Sequence, residues 1–317
     1  MLRTLQAETH KDLLAGVLIT SLIFSASVYM PIIGFFCSVF IPLPILFYRS
    51  KLGRKIGGII PVVTLFIMGV ILGRVSLDLV FFLELMLLGF VLAELFEWKL
   101  SLERTVVYAG ICVMAAGVVG VFFYSLLAQK GVVALATEYI AANLRLTLIL
   151  YQNMGVSEEN IQLIANSLSQ IQYVLLRIVP SLIIASTLFV TWTSILMAKP
   201  ILKAKGLFYP DFGPLNMWKP PDVLVWGVIG SGVMLLLPVG ALKLVGLNGL
   251  IAFLTIYFFA GIAIVSYYFE KKNVPRLLRF FLYSLVGLQQ FMLLVVIGLG
   301  FFDMWLNFRK QKPSNQN

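Results

Sequence analysis

The residues of this sequence best placed to do chemistry are the ionisable side chains inside its apolar runs, because each is costly in hydrocarbon unless paired or solvated. Glu84 is the deepest, standing seven residues after Leu77 in the run 77–96, about 10 Å along a helix. Arg177 lies about four residues into the run 173–198 and is expected at similar depth from the same outer face. The two either form an ion pair that holds two helices in register or, with Arg74, Asp78 and Lys243 near that face, outline a polar cavity. Gln289 and Gln290 fall in the middle of the last apolar run. There, interhelical hydrogen bonding is the plain reading and ligand contact the sharper one. Glu94 and Glu97, beside Trp98 and Lys99, are expected in the opposite, inner headgroup zone.

Several chemistries are not written in this chain. It has no HExxH, GxSxG or Walker loop. Its single histidine, His10, sits in a polar N-terminal stretch that lacks a signal-peptide cleavage site. Cys37 and Cys112 lie inside apolar runs without a CxxC or Cys/His metal spacing, and read as small apolar fillers. The expectation is a non-enzymatic protein with no cofactor and no metal, for which ATP-driven transport would need a separate ATPase subunit.

The elements that must position these residues are transmembrane helices. Of the 317 residues 60% are hydrophobic and 12% charged, with a mean hydropathy of +0.98, against about 25% charged in soluble proteins. Apolar runs long enough for a hydrocarbon core of about 30 Å fill nearly the whole chain. The sequence predicts an all-α polytopic bundle of about 8–9 spans forming a single membrane domain over 1–317, with candidates at 13–30, 32–48, 56–73, 77–96, 104–128, 173–198, 223–245, 248–268 and 278–301. The break at Met30-Pro31 leaves 13–48 either as two short helices or as a re-entrant hairpin, and Pro42 and Pro44 make its second half irregular. The net charge of +10 is distributed over short loops, which excludes a nucleic-acid face. An N-inside orientation puts 16 of the 24 Lys and Arg inside. Nine crossings then leave the basic tail Arg309-Lys-Gln-Lys312 outside, so either the tail is an exception or one segment does not cross. The implied location is a bacterial cytoplasmic membrane, in contact with membrane lipids.

Two polar segments interrupt the pattern. In 129–172, Ser157-Glu-Glu159 begins a helix whose Ile161, Ile164, Leu168, Ile171 and Leu175 form one apolar stripe. With a helix over 138–153 it predicts an outer amphipathic hairpin, acting either as a lid or as a surface connector. The Pro-rich stretch 199–222 is expected to be a cytoplasmic loop, either an anchored connector or a docking surface.

Certain short motifs carry a resemblance. Pro31-Ile-Ile-Gly34 followed by Phe40-Ile-Pro-Leu-Pro44, and the close Gly300-Phe-Phe-Asp303-Met-Trp305-Leu-Asn-Phe308-Arg309, resemble the start and end of the YybS-like family of uncharacterised bacterial multi-span membrane proteins. Arg177-Ile-Val-Pro180 and the Trp218-Lys-Pro-Pro221 turn also fit. The resemblance implies a distant similarity to the substrate-binding subunits of energy-coupling-factor transporters, from which this chain departs by its hairpin insert and three extra spans. The expected function is transport-type binding of a small solute or lipid-like ligand in an outward-facing cavity around Glu84, Arg177, Asp78, Arg74, Gln289 and Gln290, with possible membrane or ATPase partner subunits. The alternative is a non-transporting scaffold or assembly factor acting through its loops.

Overall fold

In lipid a chain must satisfy its own backbone hydrogen bonds, which leaves helices as the economical solution for a sequence this apolar. The computed structural model describes residues 2–73 and 76–309, without the side chains of 2–7, 31–33 and 35. The described residues form helices α1 (Leu2–Tyr29), α2 (Pro31–Ser38), α3 (Pro42–Gly57), α4 (Ile59–Leu72), α5 (Leu77–Glu97) and α6 (Leu102–Ala128). They continue with α7 (Val132–Asn153), α8 (Glu158–Ala204), α9 (Leu224–Leu236), α10 (Gly240–Lys271), α11 (Arg276–Leu288) and α12 (Gln290–Leu306). The all-α polytopic architecture is the one read from the sequence. Six helices (α1, α5, α6, α7, α8 and α10) are long and apolar enough to cross a membrane, and the number reaches 8 if each of two sharply bent pairs is one span. The chain packs as two compact units, 1–176 with 186–211, and 177–185 with 212–317.

In the first unit the break expected at Met30-Pro31 is present, between α1 and α2. Pro31 and Pro42 each open a helix, where a missing N–H costs nothing. The segment expected as 32–48 is therefore α2 followed by α3, which continues past Tyr48 through the basic stretch to Gly57. A bend of 89° then separates the helical stretch 36–57 from α4, and α4 stops at Gly73, whose left-handed φ of +63° lets its N–H close on the Gly69 and Val70 carbonyls. The most enclosed element is α5, with Phe82, Met86, Leu88 and Leu92 buried. Gly89 lets the Pro42 carbonyl approach α5 so closely that no side chain fits there.

The hairpin is present. A turn at Gly155 (φ +77°) joins α7 to α8, and Gln172 Nε2 donates to the Thr137 carbonyl at 3.0 Å. Ile161 is buried, and Ile164, Leu168, Ile171 and Leu175 are half-buried while their neighbours 162, 163, 165, 166, 169 and 170 are exposed, as the stripe predicts. The expected sixth span, 173–198, lies within a longer helix: despite Pro180 and Pro200 the hairpin arm continues through it as the single 47-residue α8.

In the second unit two boundaries move. The break expected near residue 246 falls at Leu237-Pro238-Val239, because Gly246 serves packing: a Cβ there would stand 2.6 Å from the Ser231 carbonyl of α9. The last span, expected as 278–301, is α11 and α12 bent by 101° at Gln289. Tyr268 Oη donates to the Phe308 carbonyl at 2.8 Å, so the chain that left α10 at Lys271 comes back to the same end of that helix. Residues 272–308 thus bend back toward the end of α10 from which they started. A cysteine replacing Lys272 and one appended to the C-terminus are expected to react with an impermeant maleimide from the same face of oriented vesicles; labelling from opposite faces would show that α11 and α12 cross.

Candidate functional site

At the Asp78 end of the first unit, α5 carries two of the carboxylates singled out by sequence. Asp78 Oδ1 accepts from Tyr139 Oη of α7 at 2.9 Å, and nearby Lys130 pairs with Glu138 at 2.7 Å. Glu84 lies two turns deeper, half-buried against α6. Its carboxylate occupies the space over Gly117: a Cβ on that glycine would stand 2.7 Å from Glu84 Cδ. Val80 likewise fills the space over Gly120, at 2.8 Å from an added Cβ. The glycines of α6 therefore form a groove along α5 into which the carboxyl group projects. Among the described residues of this unit, Glu84 accepts no hydrogen bond and forms no ion pair.

The opposite end of α5 holds the network that the sequence reading assigned to a headgroup zone. Glu94 and Glu97 do not simply face outward. They clamp the guanidinium of Arg49, which is 2% exposed. Arg49 Nη2 lies 2.6 Å from Glu94 Oε1, Nη1 contacts Glu97 Oε1, and Nη1 also donates to the Ala93 carbonyl at 3.3 Å. Such a saturated buried group is a structural clamp between α3 and α5. The first part of the Pro-rich loop packs here too. Tyr209 stacks edge-on with Phe96 at 5.4 Å and donates to the Ile195 carbonyl at 3.1 Å. Burial pushes its phenol up to about 12, so it stays a donor at physiological pH.

The remaining sequence candidates belong elsewhere. Arg74 lies outside the described residues. Arg177 belongs to the second unit and Glu84 to the first, so their pairing is not a feature of either unit. Gln289 and Gln290 are exposed at the apex of the wedge, and their side chains make no hydrogen bond among the described residues, in place of the interhelical bonds expected. The reason is the break itself: Gln289 has extended backbone (φ −102°, ψ 110°), which turns both amides out of the helix pair.

Sequence reasoning missed two arrangements in the second unit. Pro180 interrupts α8, and Asn248 of α10 repairs the ladder beside it. Ser181 N donates to Asn248 Oδ1 at 2.9 Å, and Asn248 Nδ2 donates to the Arg177 carbonyl at 2.8 Å. One carboxamide thus spans the ladder position normally closed by the helix itself. The other is the C-terminal latch. Asp303 is 2% exposed and binds Arg309 Nη2 at 2.6 Å, Lys219 Nζ at 3.3 Å and Phe308 N at 2.8 Å. Arg309 in turn donates to the Asn216 and Trp218 carbonyls at 3.0 and 2.8 Å. The motif residues Asp303 and Arg309 and the Trp218-Lys219 turn thereby meet in one place. Their recurrence as a motif was the available signal.

Residues 18–304 match the family described as "Predicted membrane protein (DUF2232)", and the chain belongs to that family. No curated protein and no solved structure matches it.

The clamp and an exposed pair should respond differently to truncation. Arg49→Ala leaves the Glu94 carboxylate with only the exposed Arg54, 3.4 Å away, and is expected to cost about 3 kcal/mol, read as a lowered unfolding midpoint in detergent. Removing Lys51, which is 42% exposed beside Asp12, should cost less than about 1 kcal/mol. Equal losses would show that Arg49 is not a clamp.

Proposed function

We propose that this is a transport-type membrane protein that binds a small solute or lipid-like ligand at the outward-facing end of its first unit, with Glu84 as the central contact. The observation that carries this reading is the Glu84 carboxylate, set in the glycine groove of α6 with no partner in its own unit. A carboxyl group in an apolar span is expensive, and the usual compensation is an ion pair, a water-filled cavity or a ligand. Two other carboxylates with little exposure have taken the first route: Glu94 has Arg49, and Asp303 has Arg309. Asp78 and Tyr139 supply a hydrogen-bonded rim at the mouth, and the α7–α8 hairpin supplies a cover beside it. In this reading the N-terminus is cytoplasmic in a bacterial inner membrane, and energy comes from a partner subunit.

The scaffold alternative draws less support. It would act through the 199–222 loop or the outer hairpin, and in the loop Tyr209 is committed to the first unit and the Asn216 and Trp218 carbonyls to the second.

Native mass spectrometry of gently purified protein tests the assignment. Wild type is expected to retain a small-molecule or lipid adduct that Glu84→Gln weakens by roughly 10- to 150-fold, the range for loss of a hydrogen bond to a charged group of about 1.5–3 kcal/mol. Gly117→Ala, which displaces the carboxylate without removing it, should weaken the adduct as well. Retention at wild-type affinity in both variants would remove Glu84 from the site.

A further inference from the structure

A small solute and a lipid-like ligand make different demands on a site, and the surroundings of Glu84 meet only one set of them. A water-soluble ligand gives up its hydration shell on entering and recovers it through several convergent polar groups. The two helices that form the groove supply no such set. Between Leu79 and Ala93 the only polar side chain of α5 is Glu84, and between Ala109 and Phe123 α6 offers nothing more polar than Cys112. Asp78 and its donor Tyr139 stand at the mouth, six residues up α5, about 9 Å away along the helix. An amphiphile, whose chain needs no polar partner, is satisfied by a single contact.

The groove is also open to the bilayer. Because α5 and α6 run antiparallel, with Glu84 over Gly117 and Val80 over Gly120, the helical period puts Phe81 and Val118 on the same flank of the groove. Both are exposed, and Glu84 between them is only half-buried. Each of the two helices is long and apolar enough to cross a membrane, so side chains exposed at this level face acyl chains. Depth and charge narrow the head of the ligand. Glu84 stands about 10 Å along α5 from Leu77, and a phosphate would have to leave the headgroup zone to reach it. An anionic head would in addition meet the Glu84 carboxylate in apolar surroundings, where like charges repel most strongly.

We infer that the ligand of this site is a bilayer amphiphile with a small, phosphate-free head, a hydroxyl or an amine, that donates a hydrogen bond to the Glu84 carboxylate while its chain lies along the Phe81–Val118 flank. The assignment rests on the reading of Glu84 as the ligand contact and narrows that reading to one class of ligand. It also gives the route of entry, sideways from the acyl-chain layer. A hydroxyl and an amine present the same donor to the carboxylate, and defined probes tell them apart.

Native mass spectrometry of the full chain, equilibrated with each probe in turn, reads the preference. Dioleoylglycerol and oleylamine present the hydroxyl and the amine. Acetyl-capped dioleoylglycerol keeps the chains without the donor, dioleoylphosphatidic acid adds the phosphate, and glycerol has hydroxyls without chains. Wild type is expected to retain dioleoylglycerol, oleylamine or both at least about 10-fold better than the other three, the better retained naming the head. Glu84→Gln should reduce that preference by about 10-fold. Val118→Trp, which crowds the flank and leaves Glu84 in place, should also weaken retention, and it carries the test if Glu84→Gln does not fold. Capped lipid or phosphatidic acid held as tightly as dioleoylglycerol, or retention undiminished in a folded Glu84→Gln or Val118→Trp, would overturn the assignment. A water-soluble adduct lost from Glu84→Gln, with neither donor-headed lipid bound, would overturn it and leave Glu84 as the contact of a solute. The absence of any adduct that depends on Glu84 would remove both readings.

Discussion

Hydrocarbon offers no hydrogen bonds, and every break in the helices of this protein is shaped by that constraint. Where α4 ends, Gly73 folds its own N–H back onto two carbonyls. Where Pro180 interrupts α8, the Asn248 carboxamide enters the ladder and serves one donor and one acceptor at once. Where the chain before α9 is extended, the Arg309 guanidinium collects two of its carbonyls. The last two repairs use a polar side chain, Asn248 and Arg309, that composition alone would label a misfit in an apolar bundle. The misfits are what allow the bundle to contain irregular backbone.

The same accounting divides the charged residues. Arg49 is saturated by Glu94, Glu97 and a carbonyl, and Asp303 is saturated by Arg309, Lys219 and Phe308 N. Groups so fully satisfied have little left to offer a ligand, and their removal should be felt as instability. Glu84 differs: its carboxylate lies over Gly117 without an ion pair or hydrogen bond among the described residues. Function is inferred from that residual valence more than from the presence of charge.

Much of the architecture was legible in the sequence. Runs 77–96 and 104–128 became α5 and α6 nearly residue for residue, because a long apolar run bounded by polar ends permits little else. The stripe from Ile161 to Leu175 was equally readable, since a helical period on an amphipathic segment names its buried face. Proline and glycine misled. Pro42 starts a helix and Pro180 sits inside one, and only the partner Asn248, 68 residues away, explains the difference. Gly246 looks like a helix breaker locally and is a contact in three dimensions. The wedge at Gln289 is invisible to hydropathy, which measures how apolar a segment is and not whether it returns. Of the site residues, Glu84 and Asp78 were marked by burial of charge in an apolar run.

Chemical reactivity of the carboxyl groups bears most directly on the central claim, that Glu84 stands unpaired in an apolar groove. A membrane-permeant carbodiimide modifies carboxyl groups that lie in apolar surroundings without an ionic partner. Mass spectrometry of the treated protein should find the adduct at Glu84 well before any at Glu94 or Asp303, and a Glu84→Gln variant should lose it. An unreactive Glu84, or one that reacts no faster than the ion-paired Glu94 and Asp303, would contradict the account.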